Sequence, residues 1–121
     1  MLVERYKKTI YYCLYEGREP IMQDGRIKGY RPVYGDPQEF RIHVGWARGT
    51  AETDVFGITL DYDKPMVTNW MECPIDENTV LFVDKEPDYD SNDQPLYDYI
   101  VKRVAKSKNY ITYAIKKVLV S

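Results

Sequence analysis

The chain has 121 residues, a formal charge of −2, 44% hydrophobic and 30% charged residues, and 12 tyrosines. That length predicts one domain spanning residues 1–121, able to bury roughly two thirds of its unfolded surface. The near-neutral balance argues against a broad basic surface that grips phosphates. No apolar run approaches the roughly 18 residues a membrane helix needs, and Met1-Leu2-Val3-Glu4-Arg5 leads into charge rather than into the core of a signal peptide.

Thr9-Ile10-Tyr11-Tyr12-Cys13-Leu14-Tyr15 reads as a first strand, dominated by tyrosine and β-branched residues and stopped by Gly17. Residues 17–37 then carry Gly17, Pro20, Gly25, Gly29, Pro32, Gly35 and Pro37. Such a density of breakers predicts a long excursion, with a loose hairpin turning at Asp24-Gly25. Gln38 to Trp46 alternates, with Phe40, Ile42 and Val44 on one side and Glu39, Arg41 and His43 on the other, the mark of a half-buried strand.

Ala51 to Phe56 fits a short helical turn, begun by Thr50 and ended by Gly57. Ile58 to Thr68 is a further strand region in which Pro65 suits an edge or a bulge. Pro74-Ile75-Asp76-Glu77-Asn78 is a turn, and Thr79-Val80-Leu81-Phe82-Val83 a compact β-branched and aromatic run. Leu96 to Val104 and Tyr110 to Val120 are the last strands, joined by Lys106-Ser107-Lys108-Asn109, where Asn109 tolerates a positive φ. A spacing of two puts Ile111, Tyr113, Ile115 and Leu119 on one face.

About six strands in this length leave too many edges for an open sheet. The expected class is therefore all-β: a small barrel or sandwich with long loops and one short helical turn. Phe40, Ile42, Val44, Leu81, Val83, Ile111, Tyr113 and Ile115 are its expected core.

Several groups invite a chemical reading. Asp88-Tyr89-Asp90-Ser91-Asn92-Asp93 resembles the start of a calcium loop, but Asp93 and Tyr99 stand where such a loop needs Gly and a bidentate Glu, so the residues read as a turn. Asp61 and Asp63 share a strand face and would serve a metal-dependent enzyme only with partners the sequence does not supply. Lys64 adjoins them to neutralise charge. His43 is the only histidine and faces no recognisable nucleophile motif, which makes it a surface or interface residue. Cys13 and Cys73 lack the histidine set of a zinc site and read as two free thiols in a reducing compartment. No catalytic, cofactor or metal residues are assigned, and the chain is not expected to be an enzyme.

Lys102, Arg103, Lys106, Lys108, Lys116 and Lys117, with Tyr97, Tyr99, Tyr110 and Tyr113, leave one alternative open. This is a small single-stranded nucleic-acid-binding barrel that uses charge and stacking. The competing reading is a hairpin whose lysines guard against edge pairing, complemented on a neighbouring copy by the acidic stretch at 84–93.

One overall pattern goes further. It comprises Tyr6-Lys7-Lys8-Thr9-Ile10 with the tyrosines after it, Glu39-Phe40-Arg41, Gly49-Thr50-Ala51-Glu52, and Phe56-Gly57 leading into Leu60-Asp61-Tyr62-Asp63-Lys64. It continues through Cys73-Pro74-Ile75-Asp76-Glu77-Asn78-Thr79 and Tyr97-Asp98-Tyr99-Ile100-Val101-Lys102-Arg103-Val104-Ala105. In these segments the chain resembles the small head-closure, or head–tail connector, proteins of tailed bacteriophages and of defective prophages in Gram-positive bacteria. Trp46, Ala47 and Arg48 depart from the pattern, where a more polar lead into Gly49 is expected, so loop details do not carry over.

The resemblance implies a structural neck protein, a β-barrel forming a ring between portal or adaptor and tail. That ring closes the DNA-filled head and offers the tail its platform. The implied partners are further copies of the chain, the adaptor or portal, and the tail, with double-stranded DNA passing through unspecifically and no membrane. The implied location is the bacterial host cytoplasm during assembly and then the virion neck. Trp46, Arg48, Thr50, Glu52, Asp54 and Phe56 become the candidate channel or subunit-interface loop. Gly45, Gly49 and Gly57 give that loop backbone freedom.

Overall fold

In the computed structural model, which describes residues 7–45 and 62–119, the chain is all-β. Eight strands follow in order: β1 (Lys7–Cys13), β2 (Tyr15–Gln23), β3 (Arg26–Tyr34), β4 (Gln38–Val44), β5 (Lys64–Thr68), β6 (Val80–Phe82), β7 (Tyr99–Lys106) and β8 (Ile111–Lys117). Six of them close a barrel in the order β1-β4-β5-β8-β7-β6, every pairing antiparallel, while β2 and β3 form a separate two-stranded sheet. The expected barrel is present, and the excursion at 17–37 is an ordered arm rather than a loop. No helix occurs among the described residues, so none there is long and apolar enough to cross a membrane. The expected helical turn at 51–56 lies outside them.

The barrel interior is filled by Ile10, Tyr12, Ile42, Met66, Leu81, Val83, Tyr99, Val101, Ile111, Tyr113 and Ile115, with Phe40 and Val44 packed against them from partly buried positions. All eight core residues expected from alternation belong to this cluster. Leu119 does not: β8 ends at Lys117, the alternation ends with it, and Leu119 is 99% exposed. A six-stranded barrel is small enough for side chains to fill completely.

A second cluster lies outside the wall, where Cys13, Val80 and Phe82 pack under Tyr11, Tyr34, Tyr97 and Ile100. Strand β6 therefore buries both faces, which accounts for its unbroken apolar run.

Three local expectations are corrected. The first strand breaks at Leu14, and Gly17 lies inside β2 beside a bulge instead of stopping β1. Pro65 is on no edge, because β5 runs between β4 and β8. The Pro65 carbonyl accepts from Gly45 N at 2.8 Å, so its N-side also faces β4, just past the last ladder pair, Val44↔Met66. The proline sits at the ladder's last rung, where its carbonyl still accepts and the missing N–H interrupts no further pairing. The two backbone segments approach so closely that a Cβ on Gly45 would stand 2.6 Å from Pro65 Cγ. Finally, Asn109 does not have a positive φ. The β7–β8 turn is closed instead by Ser107, whose N donates to Tyr110 O at 2.8 Å and whose Oγ accepts from Tyr110 N at 3.2 Å.

Strand β7 carries a bulge between Val101 and Arg103. Strict alternation from Tyr99 and Val101 would send Arg103 into the core. The bulge at Lys102 puts both cations outside and returns Val104 to the core side.

Candidate interaction surface

The barrel has two chemically different ends. At the end where β1 and β5 begin, Asp84 accepts from three non-adjacent strands. Lys8 Nζ of β1 is 3.1 Å away, Lys64 Nζ of β5 3.6 Å away, and Tyr99 of β7 donates its hydroxyl at 3.3 Å. These strands are not neighbours around the closed barrel, so a carboxylate reaching all three lies across its mouth. Burial works against ionising Asp84, but the two lysines and the tyrosine hydroxyl prevail and hold its pKa below the ordinary 3.8. Burial likewise works against charging Lys64, and Tyr99 and Asp84 outweigh it, raising that pKa above 10.5. The ion cluster is thus a lid on a packed core. Lys64 serves it from β5.

An excursion, residues 83–98, leaves this end and is pinned at its root by Asp98. That buried carboxylate accepts from Val83 N at 2.8 Å and Asp84 N at 2.9 Å. Its tip is a turn built on Asp90, whose Oδ1 accepts from Asn92 N at 2.8 Å and Gln94 N at 2.9 Å. The calcium-like residues therefore spend their oxygens on their own backbone, as the turn reading has it. Tyr89 packs on Phe82 and lies by the Cys13 thiol. Burial and that thiol push the Tyr89 pKa up to about 12. Along this flank an open cleft of about 330 Å³ is lined by Lys8, Thr9, Tyr11, Val83, Asp84, Lys85 and Glu86.

Strands β1 and β5 are parallel to each other, each being antiparallel to β4 between them. The arm that follows β1 and the turn that follows β5 therefore share the opposite end. There an aromatic ladder runs from the core to the surface: Tyr12 to Phe40 at 6.1 Å, then Phe40 to Trp70 at 5.4 Å between centroids. Trp70 is 43% exposed.

The arm turns at Asp24-Gly25, as the sequence indicates, with φ of 55° and 76°; two successive positive values match the twist of a tight hairpin. Its register places Pro20 opposite Tyr30, Met22 opposite Ile27, and Arg18 opposite Pro32. Directly paired and i, i+2 residues share a face, so these six form one side. Arg18 lies over the Tyr30 ring at 4.8 Å. The other side carries Glu19 and Arg31, bonded at 2.8 Å, with Gln23 and Arg26 and a single exposed large apolar residue, Ile21. The first side is apolar yet uncovered: Met22 is 57%, Ile27 56% and Tyr30 54% exposed. Sequence reasoning flagged the arm by its breakers but missed its amphipathic pattern, because bulges at Glu16 and Lys28 shift the alternation twice.

The other candidates fall as follows. Trp46, Arg48, Thr50, Glu52, Asp54 and Phe56 lie outside the described residues, as does Asp61. Asp63 accepts from Lys117 N at 2.7 Å and so ties β5 to β8. His43 is half-buried, and its Nδ1 has no partner among the described residues. Cys13 and Cys73 are both free and buried. Burial raises the Cys13 pKa over the opposing Tyr89 hydroxyl, which keeps the thiol protonated and unreactive. In the basic hairpin, Lys102, Arg103, Lys106 and Lys108 are exposed, but Tyr99 and Tyr113 are core residues with no free face for a base. Tyr97 leans on Tyr34 at 6.4 Å. Among the described residues no three His, Cys, Asp or Glu gather as a metal site requires.

The fold and surface define a class: a small closed β-barrel with an ion-capped end, an aromatic end and a projecting amphipathic arm. No protein-family model, no curated protein and no solved structure matches the chain.

Proposed function

We propose that this protein is a structural subunit of a phage or prophage neck. It forms a ring between portal or adaptor and tail, closing the DNA-filled head and carrying the tail. The observation that carries this reading is the uncovered apolar side of an ordered arm on a rigid barrel. A lone two-stranded hairpin is marginally stable in water, and exposed Met, Ile and Tyr on one side suit a protein contact. The resemblance to head-closure proteins over most of the chain supplies the setting. The filled barrel adds a constraint. Barrels with an aqueous channel have roughly 16 strands or more, so any passage for a duplex runs between copies and not through this one.

Deleting the gene from the phage or prophage that encodes it is the test. DNA-filled heads that leak or fail to join tails are expected, and normal tailed particles would overturn the reading. The alternative, single-stranded nucleic-acid binding, retains the exposed lysines of the β7–β8 hairpin but only two of its four rings. A salt-dependent oligonucleotide titration separates the two, because a ring subunit has no steep affinity to lose as salt rises.

A further inference from the structure

We propose that the β2–β3 arm is an assembly strap: its apolar side docks on the acidic flank of a second copy of this chain, formed by the 83–98 excursion. The inference rests on the ring reading and names its contact.

Three observations select this occupant. First, the arm is built for docking by a face and not by an edge. Pro20 in β2 and Pro32 in β3 each lack an N–H, and a paired strand admits proline where that missing donor points away from its partner. Each outer edge thus loses a donor, which blunts edge-to-edge pairing. Contact falls to the side bearing Pro20, Met22, Ile27 and Tyr30.

Second, the charges match. The apolar side itself carries Arg18, which lies over Tyr30, and Lys28 stands at the bulge beside Ile27. The excursion offers Glu86, Asp88 and Asp93 as exposed carboxylates beside the Tyr11 cleft and the partly exposed Tyr89 ring. Residues 84–93 hold five acids (Asp84, Glu86, Asp88, Asp90, Asp93) against one lysine. Lys85 is already shared with Asp88 at 3.9 Å and Leu96 O at 2.8 Å, so the stretch keeps a net negative charge.

Third, the arm's own chain leaves the docking side free. The arm leaves the barrel after Leu14, held at its root by Gly35 N donating to Leu14 O at 2.8 Å and by the Tyr15–Tyr34 contact. Nine residues per strand carry the tip about 30 Å from that root. The acidic flank of the same chain packs at the root, where Tyr97 meets Tyr34. Met22, Ile27 and Tyr30 nevertheless stay more than half exposed, so the chain's own flank does not cover them, and a neighbour presents the same flank to them. A contact between two different patches of identical subunits is head-to-tail, the kind that closes into rings.

The experiment uses the full chain at high concentration, read by native mass spectrometry and negative-stain microscopy. The strap predicts that Met22→Glu with Ile27→Glu lowers assembly at least about tenfold while leaving the barrel's melting unchanged, as expected when two anchor side chains are lost. Arg18→Glu with Lys28→Glu weakens assembly, and adding Glu86→Lys with Asp93→Lys restores it. Mixing separate Ile27→Cys and Ser91→Cys chains gives an intermolecular disulfide in the assembled fraction, because the native thiols are buried. Assembly unaffected by Met22→Glu with Ile27→Glu, or assembled rings without the 27–91 cross-link, would overturn the strap and leave the ring reading standing. A chain monomeric at every concentration would overturn both.

Discussion

The barrel and the arm use the same residue types to opposite ends. In the barrel, Ile10, Ile42, Met66 and Tyr113 are fully enclosed, and even the outer side of β6 is covered. In the arm, Met22, Ile27 and Tyr30 share one face through the register and remain in water. The lesson is that alternation reports which residues share a face. Whether that face is a core depends on what packs against it. Closure of six strands gives the barrel faces a partner within the chain, whereas the arm's apolar side has none among the described residues.

This contrast is breakable, and the largest effect belongs to the barrel. Ile42→Ala should cost roughly 2–5 kcal/mol by denaturant unfolding, since a fully buried side chain leaves a cavity. Ile27→Ala on the arm should cost less than about 0.5 kcal/mol in the isolated chain. Equal losses would show that the arm is folded into the barrel's cooperative unit.

The next effect tests the flank. Asp98→Ala strands the Val83 and Asp84 amides, and a loss of about 1–3 kcal/mol is expected. Amide exchange should speed at residues 83–98 before it speeds in β8. Unchanged exchange there would mean the excursion is held by its apolar contacts alone.

A smaller, local effect belongs to the arm. Gly25→Ala forces a side chain into φ 76° and should weaken the hairpin by about 1 kcal/mol. The arm's amides would then exchange faster while the barrel's melting temperature holds, and a matching fall in that temperature would contradict the separation.

The smallest effect is ionic. The folded-state pKa of Asp84 is depressed below 3.8, so its contribution is present above that value and is lost as pH falls through the lower folded value. That of Lys64 is raised above 10.5, so its contribution is complete below 10.5 and is lost as pH rises through the higher value. Both groups are partly open to solvent, which limits the loss to under about 1 kcal/mol. Asp84→Asn should abolish the acid-side change, and persistence of that change would assign it to another carboxylate.

Much of this molecule was legible in its sequence. Strict alternation at Phe40, Ile42 and Val44, and again at Ile111, Tyr113 and Ile115, identifies buried faces because the side-chain period of a strand is two. Asp24-Gly25 specifies the arm's turn, since few residue pairs accept two positive φ values. The excursion's aspartates declare a turn by bonding their own backbone. The tertiary structure alone decided three things. Pro65 could be placed inside the barrel only by knowing where the β4–β5 ladder ends, because the cost of a proline depends on which neighbour its nitrogen faces. The lid at Asp84 joins residues 8, 64, 84 and 99, which become adjacent only when closure brings non-neighbouring strands around one mouth. The arm's apolar side emerged only from its register, since each bulge adds one residue and flips every position after it to the other face.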